Sequence, residues 1–335
     1  MSKPGDEVAL RGGLRLTRLG LGVGTLGSLF QPVSDEAAQA VLEAAWEGGI
    51  RYYDAAPWYG FGLAEERLGH FLAGRIGYVV STKVGRLLRA GAPPHPSQFD
   101  ARGEPVFKTP SRLNVVYDYT YDGFMRSLEE SLGRLGLDRV DILLIHDPDV
   151  AGLSVREVME GGYKALFELR EQGVVRAIGA GMNQWEMLLE FAREGDFDLF
   201  LLAGRYTLLE QESLREFLPL CVKKGIGVVI GGVYNSGLLA NPRPGAHYNY
   251  AEVPTHVLQR ALRIQAVCHR HGVPLKAAAI QFPLGHPAVV SVLTAGRTPE
   301  QLEENLSMFQ IPIPQDLWAE LKAEGLLAEA APVPT

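Results

Sequence analysis

The sequence predicts an α/β protein built as a single closed (β/α)8 barrel, the TIM-barrel architecture. Short runs rich in Val, Ile and Leu alternate with longer amphipathic segments along the whole chain, as in βα units that feed a parallel sheet. About eight such runs occur, which is the number that a closed barrel needs. The 335 residues contain no composition break and no Ser/Gly linker, so we expect one domain, 1–335.

Each predicted strand is followed by a predicted helix. The strands are 19–23, 50–54, 78–83, 140–146, 175–180, 199–203, 227–231 and 289–294. The helices are 35–47, 64–72, 121–135, 155–171, 185–193, 212–224, 255–271 and 299–308. Because right-handed crossovers connect parallel strands, we expect the helices to form an outer ring around the barrel.

Two further segments stand outside this alternation. Residues 8–10 and 14–16 flank Arg11, Gly12 and Gly13, which predicts an N-terminal β-hairpin within 1–18 that caps the bottom of the barrel. A frayed tail is the alternative. The stretch 85–119 holds five prolines and no clear periodicity, so we expect a long active-site loop after the third strand.

Composition limits the classes of partner. The net charge of −7 argues against a nucleic-acid-binding or anionic-membrane surface, which leaves a small molecule as the expected partner. Cys221 and Cys268 form no CxxC pair, which favours a reducing, cytoplasmic compartment and predicts neither a disulfide framework nor a metal site. The sequence shows no signal peptide and no run of apolar residues long enough to span a bilayer. The oligomeric state is left open.

Polar residues at the ends of apolar strands carry the chemistry, because barrel enzymes build their sites at the C-terminal ends of the strands. Asp54, Lys83 and His146 end the second, third and fourth strands, and Tyr59 follows Asp54 in the loop. Three neighbouring strands bring them to one mouth, whereas a single charge at a strand end is more often a solvated residue. We expect Asp54 to pair with Lys83, whose ammonium lowers the pKa of Tyr59 towards the working range. Tyr59 then serves as general acid or base.

The segments DAAPWYG (54–60), STK (81–83) and LIHDPD (144–149) resemble the signatures of the aldo-keto reductase family. The resemblance runs from Leu19 to about Leu306. It implies NAD(P)-dependent hydride transfer between a nicotinamide and a carbonyl or hemiacetal carbon. It also implies that the tyrosine exchanges a proton with the substrate oxygen, the lysine lowers its pKa, the aspartate pairs with the lysine and the histidine orients the carbonyl. The catalytic residues are then Asp54, Tyr59, Lys83 and His146.

The resemblance also implies cofactor contacts. Asn183 corresponds to the asparagine that holds the nicotinamide carboxamide, whereas Met182, Ala203 and Gly231 depart from the family pattern, and Tyr234 offers a stacking face instead. Arg297 is expected to pair with a 2′-phosphate, although a surface arginine without a ligand is the alternative. NAD and NADP both remain open, because Gln301 replaces a second basic residue of the family. The full expected set is Asn183, Tyr234, Ser236, Gly237, Gly296, Arg297, Gln301 and Asn305.

The predicted substrate contacts are Trp58 and Asp147. HDPD (146–149) and YNSG (234–237) resemble the branch of the family that contains aldose and pyridoxal dehydrogenases, so we expect oxidation of an aldose at its hemiacetal carbon, with Asn235 and Ser236 on the rim of the site. Trp58, Tyr117 and Tyr119 would instead form an apolar funnel in a broad NADPH-dependent aldehyde and ketone reductase. A regulatory barrel that binds nicotinamide without catalysis is the alternative from another class.

The segment GVGTLG (22–27) matches the GxGxxG motif of Rossmann dehydrogenases. The third glycine of that motif enters a helix directly, but here 28–33, with Pro32, intervenes. We therefore do not predict a Rossmann fold.

Overall fold

Eight parallel strands close into a barrel, which confirms the predicted architecture. A computed structural model describes residues 2–100, 102–249 and 251–335. The strands in chain order are β1 (Glu7–Ala9), β2 (Arg15–Thr17), β3 (Leu19–Gly22), β4 (Tyr52–Asp54), β5 (Val79–Val84), β6 (Arg86–Ala90), β7 (Leu113–Tyr117), β8 (Ile142–His146), β9 (Ala177–Met182), β10 (Leu199–Ala203), β11 (Gly227–Gly231), β12 (His247–Tyr248), β13 (Ala251–Glu252) and β14 (Val289–Thr294). The barrel order is β3-β4-β5-β8-β9-β10-β11-β14, and β14 pairs with β3 to close it.

Helices follow the barrel strands on the outside. They are α1 (Asp35–Glu47), α2 (Leu63–Leu72), α3 (Tyr121–Leu135), α4 (Val155–Glu160), α5 (Tyr163–Glu171), α6 (Trp185–Glu194), α7 (Phe217–Lys224), α8 (Thr255–Arg270), α9 (Leu275–Gln281), α10 (Pro299–Phe309) and α11 (Gln315–Ala323). Hydroxyl side chains cap the N-termini of several helices. Ser34 accepts a hydrogen bond from the Ala37 amide at α1, and Thr120 accepts one from the Gly123 amide at α3. Among the described residues, no helix is long and apolar enough to cross a membrane.

The prediction of one continuous helix over 155–171 is wrong, because α4 and α5 are separated by two glycines. Gly161 has a non-helical backbone. A Cβ on Gly162 would lie 2.4 Å from the ring of Phe124, so only glycine allows this close approach. The sequence prediction also missed α9, which is almost entirely buried and therefore has no polar face to give a helical period.

The N-terminal hairpin covers the lower end of the barrel. β1 and β2 pair antiparallel, with Val8 opposite Leu16. Leu10, Leu14 and Leu16 are buried in one apolar cluster with inward-facing residues of the barrel strands. A Cβ on Gly227 would lie 2.4 Å from the Leu10 side chain, so the hairpin is packed directly onto β11.

The segment after β5 contains a hairpin where the sequence predicted only a loop. β6 and β7 pair antiparallel from Arg86–Tyr117 to Ala90–Leu113. The excursion between them is bonded to the loop after β3, since the Phe30 amide donates to the Val106 carbonyl at 2.8 Å. We call this element the β6–β7 hairpin. It therefore forms a wall beside the C-terminal ends of the barrel strands β3, β4, β5 and β8. The C-terminal ends of the barrel strands are the mouth of the barrel.

Candidate active site

Asp54, Lys83 and Tyr59 meet at the mouth, as the sequence predicts. Neighbouring strands β4 and β5 bring Asp54 and Lys83 together at their C-terminal ends. The Lys83 Nζ donates to Asp54 Oδ2 at 2.6 Å, to the Ala55 carbonyl at 2.9 Å and to the Tyr59 hydroxyl at 3.0 Å. An ammonium has three donors, so all of them are used and the lysine is held in one position.

A buried chain of hydroxyls supports this cluster from within the barrel. Ser81 donates to Asp54 Oδ1 at 2.7 Å, and the Tyr52 hydroxyl lies 3.1 Å from the Ser81 Oγ. Both oxygens of the Asp54 carboxylate are therefore bonded. The side chains of Lys83 and Asp54 are only 2% and 3% exposed, so the charges compensate each other away from water.

The pKa of Tyr59 departs from the sequence-based expectation. Burial raises it, Lys83 opposes that effect and Asp54 adds to it, and the pKa ends above its ordinary value. The lysine acts in the predicted direction, but the expectation of a net lowered pKa is wrong because the cost of removing a phenolate from water is larger. Burial likewise lowers the pKa of Lys83, but Asp54 and Tyr59 outweigh it and leave the pKa raised. Lys83 is thus a stable ammonium beside a protonated Tyr59.

His146 ends β8 and faces Tyr59. The two rings lie at 88° with their centroids 5.9 Å apart. Burial, followed by the charges of Arg86 and Lys83, lowers the pKa of His146 well below its ordinary value. The imidazole is therefore neutral at physiological pH and provides one N–H donor. Tyr119 donates a hydrogen bond to the His146 carbonyl and holds the end of the strand.

The buried Arg86 forms a second ion pair with the partly exposed Asp147, a pairing that the sequence analysis missed. The Arg86 Nη2 donates to Asp147 Oδ2 at 2.6 Å, and the same oxygen lies 3.4 Å from the His146 Nε2. Arg86 follows Gly85, whose backbone has φ 106 and where a Cβ would lie 2.5 Å from the Tyr119 ring. The signal in the sequence was an arginine that follows Val84 and Gly85, shortly after Lys83, and precedes two leucines.

The glycines of GVGTLG have a packing role in this fold. A Cβ on Gly27 would lie 2.6 Å from the Tyr59 carbonyl carbon, and one on Gly60 would lie 2.5 Å from the Gly27 carbonyl oxygen. Glycine at both positions lets the loop after β3 contact the backbone that carries Tyr59. The motif therefore supports the tyrosine and does not indicate a Rossmann fold.

The aromatic residues form a wall and not an open funnel. Trp58 is 7% exposed and packs edge-on against Phe61 and Phe107, with ring centroids at 5.2 and 5.0 Å. Phe107 also lies 6.1 Å from the Tyr59 ring. Tyr119 is buried and bonded to His146, so the predicted funnel that included it is wrong.

The expected nicotinamide-side residues gather at the ends of β9 to β11. The Asn183 Nδ2 donates to the Ala203 carbonyl at 3.2 Å, and the Asn235 Nδ2 donates to the Gly204 carbonyl at 3.1 Å. Asn235 is 3% exposed, so its expected place on the rim is wrong. Its Oδ1 is buried and has no partner within the described part of the chain.

The loop that follows β11 is exposed at its tip. Ser236 and Gly237 are exposed and have left-handed backbones, with φ 58 and 91. The hydroxyl of Tyr234 donates to Asn305 Oδ1 at 3.0 Å, and Asn305 Nδ2 donates to the Ala295 carbonyl at 3.0 Å. These bonds join the loop to α10 and bring the two ends of the expected cofactor site together.

The other expected cofactor residues lie where α10 begins. Thr25 donates to the Gly296 carbonyl at 2.8 Å, and Gln301 accepts a bond from the Arg297 amide at 2.9 Å. The Arg297 guanidinium donates to the Leu29 carbonyl at 3.2 Å, and its buried Nε has no partner among residues 2–100, 102–249 and 251–335. None of the carboxylates described there lies within ion-pair distance of it. A half-buried cation without a counter-ion at a helix N-terminus fits the phosphate of a dinucleotide.

A family model described as the aldo/keto reductase family matches residues 18–324. This chain belongs to the aldo-keto reductase family. It is 45% identical over 334 residues to the D-threo-aldose 1-dehydrogenase of Pseudomonas sp, covering 98% of each protein. It is 43% identical to the pyridoxal 4-dehydrogenase of Microbacterium luteolum, covering 97% of this chain and 99% of that protein. The holo form of an aldo-keto reductase from Bacillus halodurans shares the fold, with a TM-score of 0.77, 21% identity and coverage of 99% and 98%.

This aldo-keto reductase is therefore an oxidoreductase that acts on CH–OH or carbonyl groups and uses a nicotinamide cofactor. The alternative of a regulatory barrel without catalysis is set aside. Within the described residues, no group of three or more His, Cys, Asp or Glu side chains could hold a metal ion.

Proposed function

We propose that this enzyme oxidises an aldose at its hemiacetal carbon to the lactone, with Tyr59 as the group that takes the hydroxyl proton. The observation that carries the proposal is the Tyr59 hydroxyl, 3.0 Å from a lysine ammonium that is fully hydrogen-bonded, beside a neutral His146. A positioned proton carrier of this kind is what hydride transfer from an alcohol carbon needs, because the hydroxyl must lose its proton as the carbonyl forms.

The four polar residues have separate roles in this proposal. A bound nicotinamide cofactor would supply the hydride acceptor for the hemiacetal carbon. Tyr59, in its phenolate form, would accept the hydroxyl proton, and the electron pair of the broken O–H bond would become the second bond of the lactone C=O. Lys83 stabilises the phenolate form of Tyr59, and Asp54 keeps Lys83 charged and in place. His146, as a neutral donor, binds the substrate oxygen and orients the reacting carbon.

The proposed cofactor site lies between the nicotinamide side at β9 to β11 and the start of α10. The unpartnered Asn235 Oδ1 adds an acceptor for a carboxamide N–H on the nicotinamide side. The residues proposed to hold the cofactor are Asn183, Tyr234, Ser236, Gly237, Gly296, Arg297, Gln301 and Asn305. The partly buried Arg297 guanidinium has no carboxylate partner among the described residues and would pair with a 2′-phosphate. Gln301 is neutral and adds no second charge, so we expect both NAD and NADP to be accepted.

Sugars are the proposed substrates because the site presents charged and polar groups to a polyhydroxylated molecule. The Asp147 side chain is 19% exposed at the mouth, beside His146, and a carboxylate is a hydrogen-bond acceptor for hydroxyls. Trp58, which is mostly buried, offers only its remaining exposed edge as an apolar contact. The likeness to an aldose dehydrogenase and to a pyridoxal dehydrogenase supports a cyclic hemiacetal as the reacting form. The free thiols Cys221 and Cys268 are consistent with the proposed cytoplasmic location.

A second candidate is the reduction of aromatic or aliphatic aldehydes. The observation that favours it is the apolar cluster of Trp58, Leu88, Phe107 and Val115, against which Tyr59 packs. An aromatic aldehyde would lie against such a wall without needing the Asp147 carboxylate.

Steady-state kinetics distinguish the two candidates. L-fucose, D-arabinose and pyridoxal are assayed for oxidation with NAD and NADP, and nitrobenzaldehyde is assayed for reduction, each by nicotinamide absorbance. The proposal predicts efficient oxidation of at least one aldose. Negligible oxidation of all the aldoses beside efficient aldehyde reduction would rule the sugar proposal out.

A further inference from the structure

Asp147 has a strained backbone directly beside the catalytic histidine. Its φ of 41 and ψ of 61 are left-handed, and the next residue is Pro148. A residue before proline strongly prefers an extended backbone, and a left-handed one is unfavourable for a residue with a Cβ. Such strain persists only where the surroundings hold it, and it is concentrated at functional sites.

Arg86 is the side chain that holds Asp147. Its Nη2 donates to Asp147 Oδ2 at 2.6 Å, while the Asp147 amide donates to the Gly181 carbonyl at 3.2 Å. Arg86 is 4% exposed, and its Nε has no partner among the described residues. A guanidinium that is buried in this way costs free energy, and Asp147 is the carboxylate that compensates its charge.

The pair presents its carboxylate, and not its guanidinium, to the mouth. The Asp147 side chain is 19% exposed and that of Arg86 is 5% exposed. The Asp147 carboxylate lies 3.4 Å from the Nε2 of His146, and the His146 ring faces Tyr59. When the reacting oxygen of the substrate is bound between Tyr59 and His146, the hydroxyl on the carbon next to the reacting carbon is therefore within reach of Asp147.

We propose that Arg86 is a positioning residue that holds the Asp147 carboxylate to accept a hydrogen bond from the hydroxyl on the carbon next to the reacting carbon. This inference rests on the proposed function and narrows its substrate class to 2-hydroxylated cyclic hemiacetals. A site that binds a hydroxyl with a charged acceptor rejects analogues that lack it, because its own polar group is then left without a partner. A 2-deoxy sugar is such an analogue.

The test compares D-arabinose with 2-deoxy-D-ribose, which differ only in the 2-hydroxyl, in the wild type and in three variants. Arg86→Met removes the positive charge, and Arg86→Lys keeps the charge but lacks the planar guanidinium group. Arg89→Met is the control, because Arg89 lies on the same strand but pairs with Glu130 away from the site. Cofactor affinity by fluorescence titration and thermal unfolding show whether each variant retains its fold.

We expect the wild type to prefer D-arabinose by roughly 10- to 100-fold in kcat/KM, the range for losing a hydrogen bond to a charged group. Arg86→Met should lose most of this preference by slowing D-arabinose oxidation while 2-deoxy-D-ribose oxidation changes less than about threefold. Arg86→Lys should retain part of the preference, and Arg89→Met should retain all of it.

Two contrary outcomes are distinct. If the wild type oxidises D-arabinose but Arg86→Met slows both sugars equally, or if Arg86→Met fails to fold while Arg86→Lys keeps the full preference, the role of Arg86 is refuted and the proposed function stands. If the wild type oxidises neither sugar, the proposed function fails and this inference fails with it.

Discussion

Replacement of Lys83 with Met removes three hydrogen bonds and one buried charge. The ammonium donates to Asp54 at 2.6 Å, to the Ala55 carbonyl at 2.9 Å and to Tyr59 at 3.0 Å. Without Lys83, the Asp54 carboxylate keeps the hydrogen bond from Ser81, and its side chain is 3% exposed. Removing one partner of a buried pair costs about 3–5 kcal/mol, because the other charge is left uncompensated. We expect Lys83→Met to lose that much free energy of unfolding at pH 7.

The double variant Asp54→Asn/Lys83→Met separates stability from catalysis. The amide is neutral and retains a partner in Ser81, so most of the lost stability should return and leave a deficit of about 1–2 kcal/mol. Urea unfolding at pH 7, with the midpoint and slope fitted together, measures the free energy of unfolding of both variants. A single variant within about 1 kcal/mol of the wild type, or a double variant no more stable than the single one, would refute the buried-pair reasoning.

Activity should not return with stability. Lys83 is the group that lowers the pKa of Tyr59 against the effect of burial, so its loss raises that pKa further. In the proposed oxidation Tyr59 would act as the base, so the rate should rise with pH as Tyr59 loses its proton. The rising limb of kcat against pH should therefore move to higher pH in Lys83→Met and in the double variant, with turnover at pH 7 reduced by about 100-fold. An unshifted profile with normal turnover would show that Lys83 is only structural.

Three further substitutions test other parts of the site. Tyr59→Phe should lose at least about 100-fold in turnover while nicotinamide affinity, measured by fluorescence titration, stays unchanged, and near wild-type turnover would contradict its role as proton carrier. Arg297→Ala should weaken NADP about 10-fold relative to NAD, and an equal change for both cofactors would mean that another group binds the phosphate. Gly27→Ala should lower kcat, because its Cβ would lie 2.6 Å from the Tyr59 backbone, whereas in the control Gly24→Ala the Cβ meets the Tyr59 ring at an ordinary 3.7 Å. Equal kcat values in these two glycine variants would show that the loop after β3 does not position the tyrosine.

The barrel could be predicted from the sequence because its signals are local. The predicted strand 289–294 and helix 35–47 agree with β14 and α1 at both ends, since apolar periodicity and capping residues act within one element. The irregular regions are less predictable from the sequence. The β6–β7 hairpin lies in a proline-containing stretch, and the break after α4 depends on Phe124 in another helix. The hairpin pairs two strands that are separated by a long excursion, and the break is formed by glycines that pack against a neighbouring helix, so neither follows from apolar periodicity alone.

The same division applies to the site. The sequence alone determined that Asp54, Lys83 and His146 would converge with Tyr59, because each ends one of three strands that are neighbours in a barrel. Only the tertiary structure decided that Arg86 pairs with Asp147, 61 residues away in the chain. It also decided the net shift of the Tyr59 pKa, which depends on the balance between one nearby ammonium and the burial contributed by every surrounding atom. Pairing across long sequence separations and desolvation are properties of the packed molecule, and no local pattern of residues specifies them.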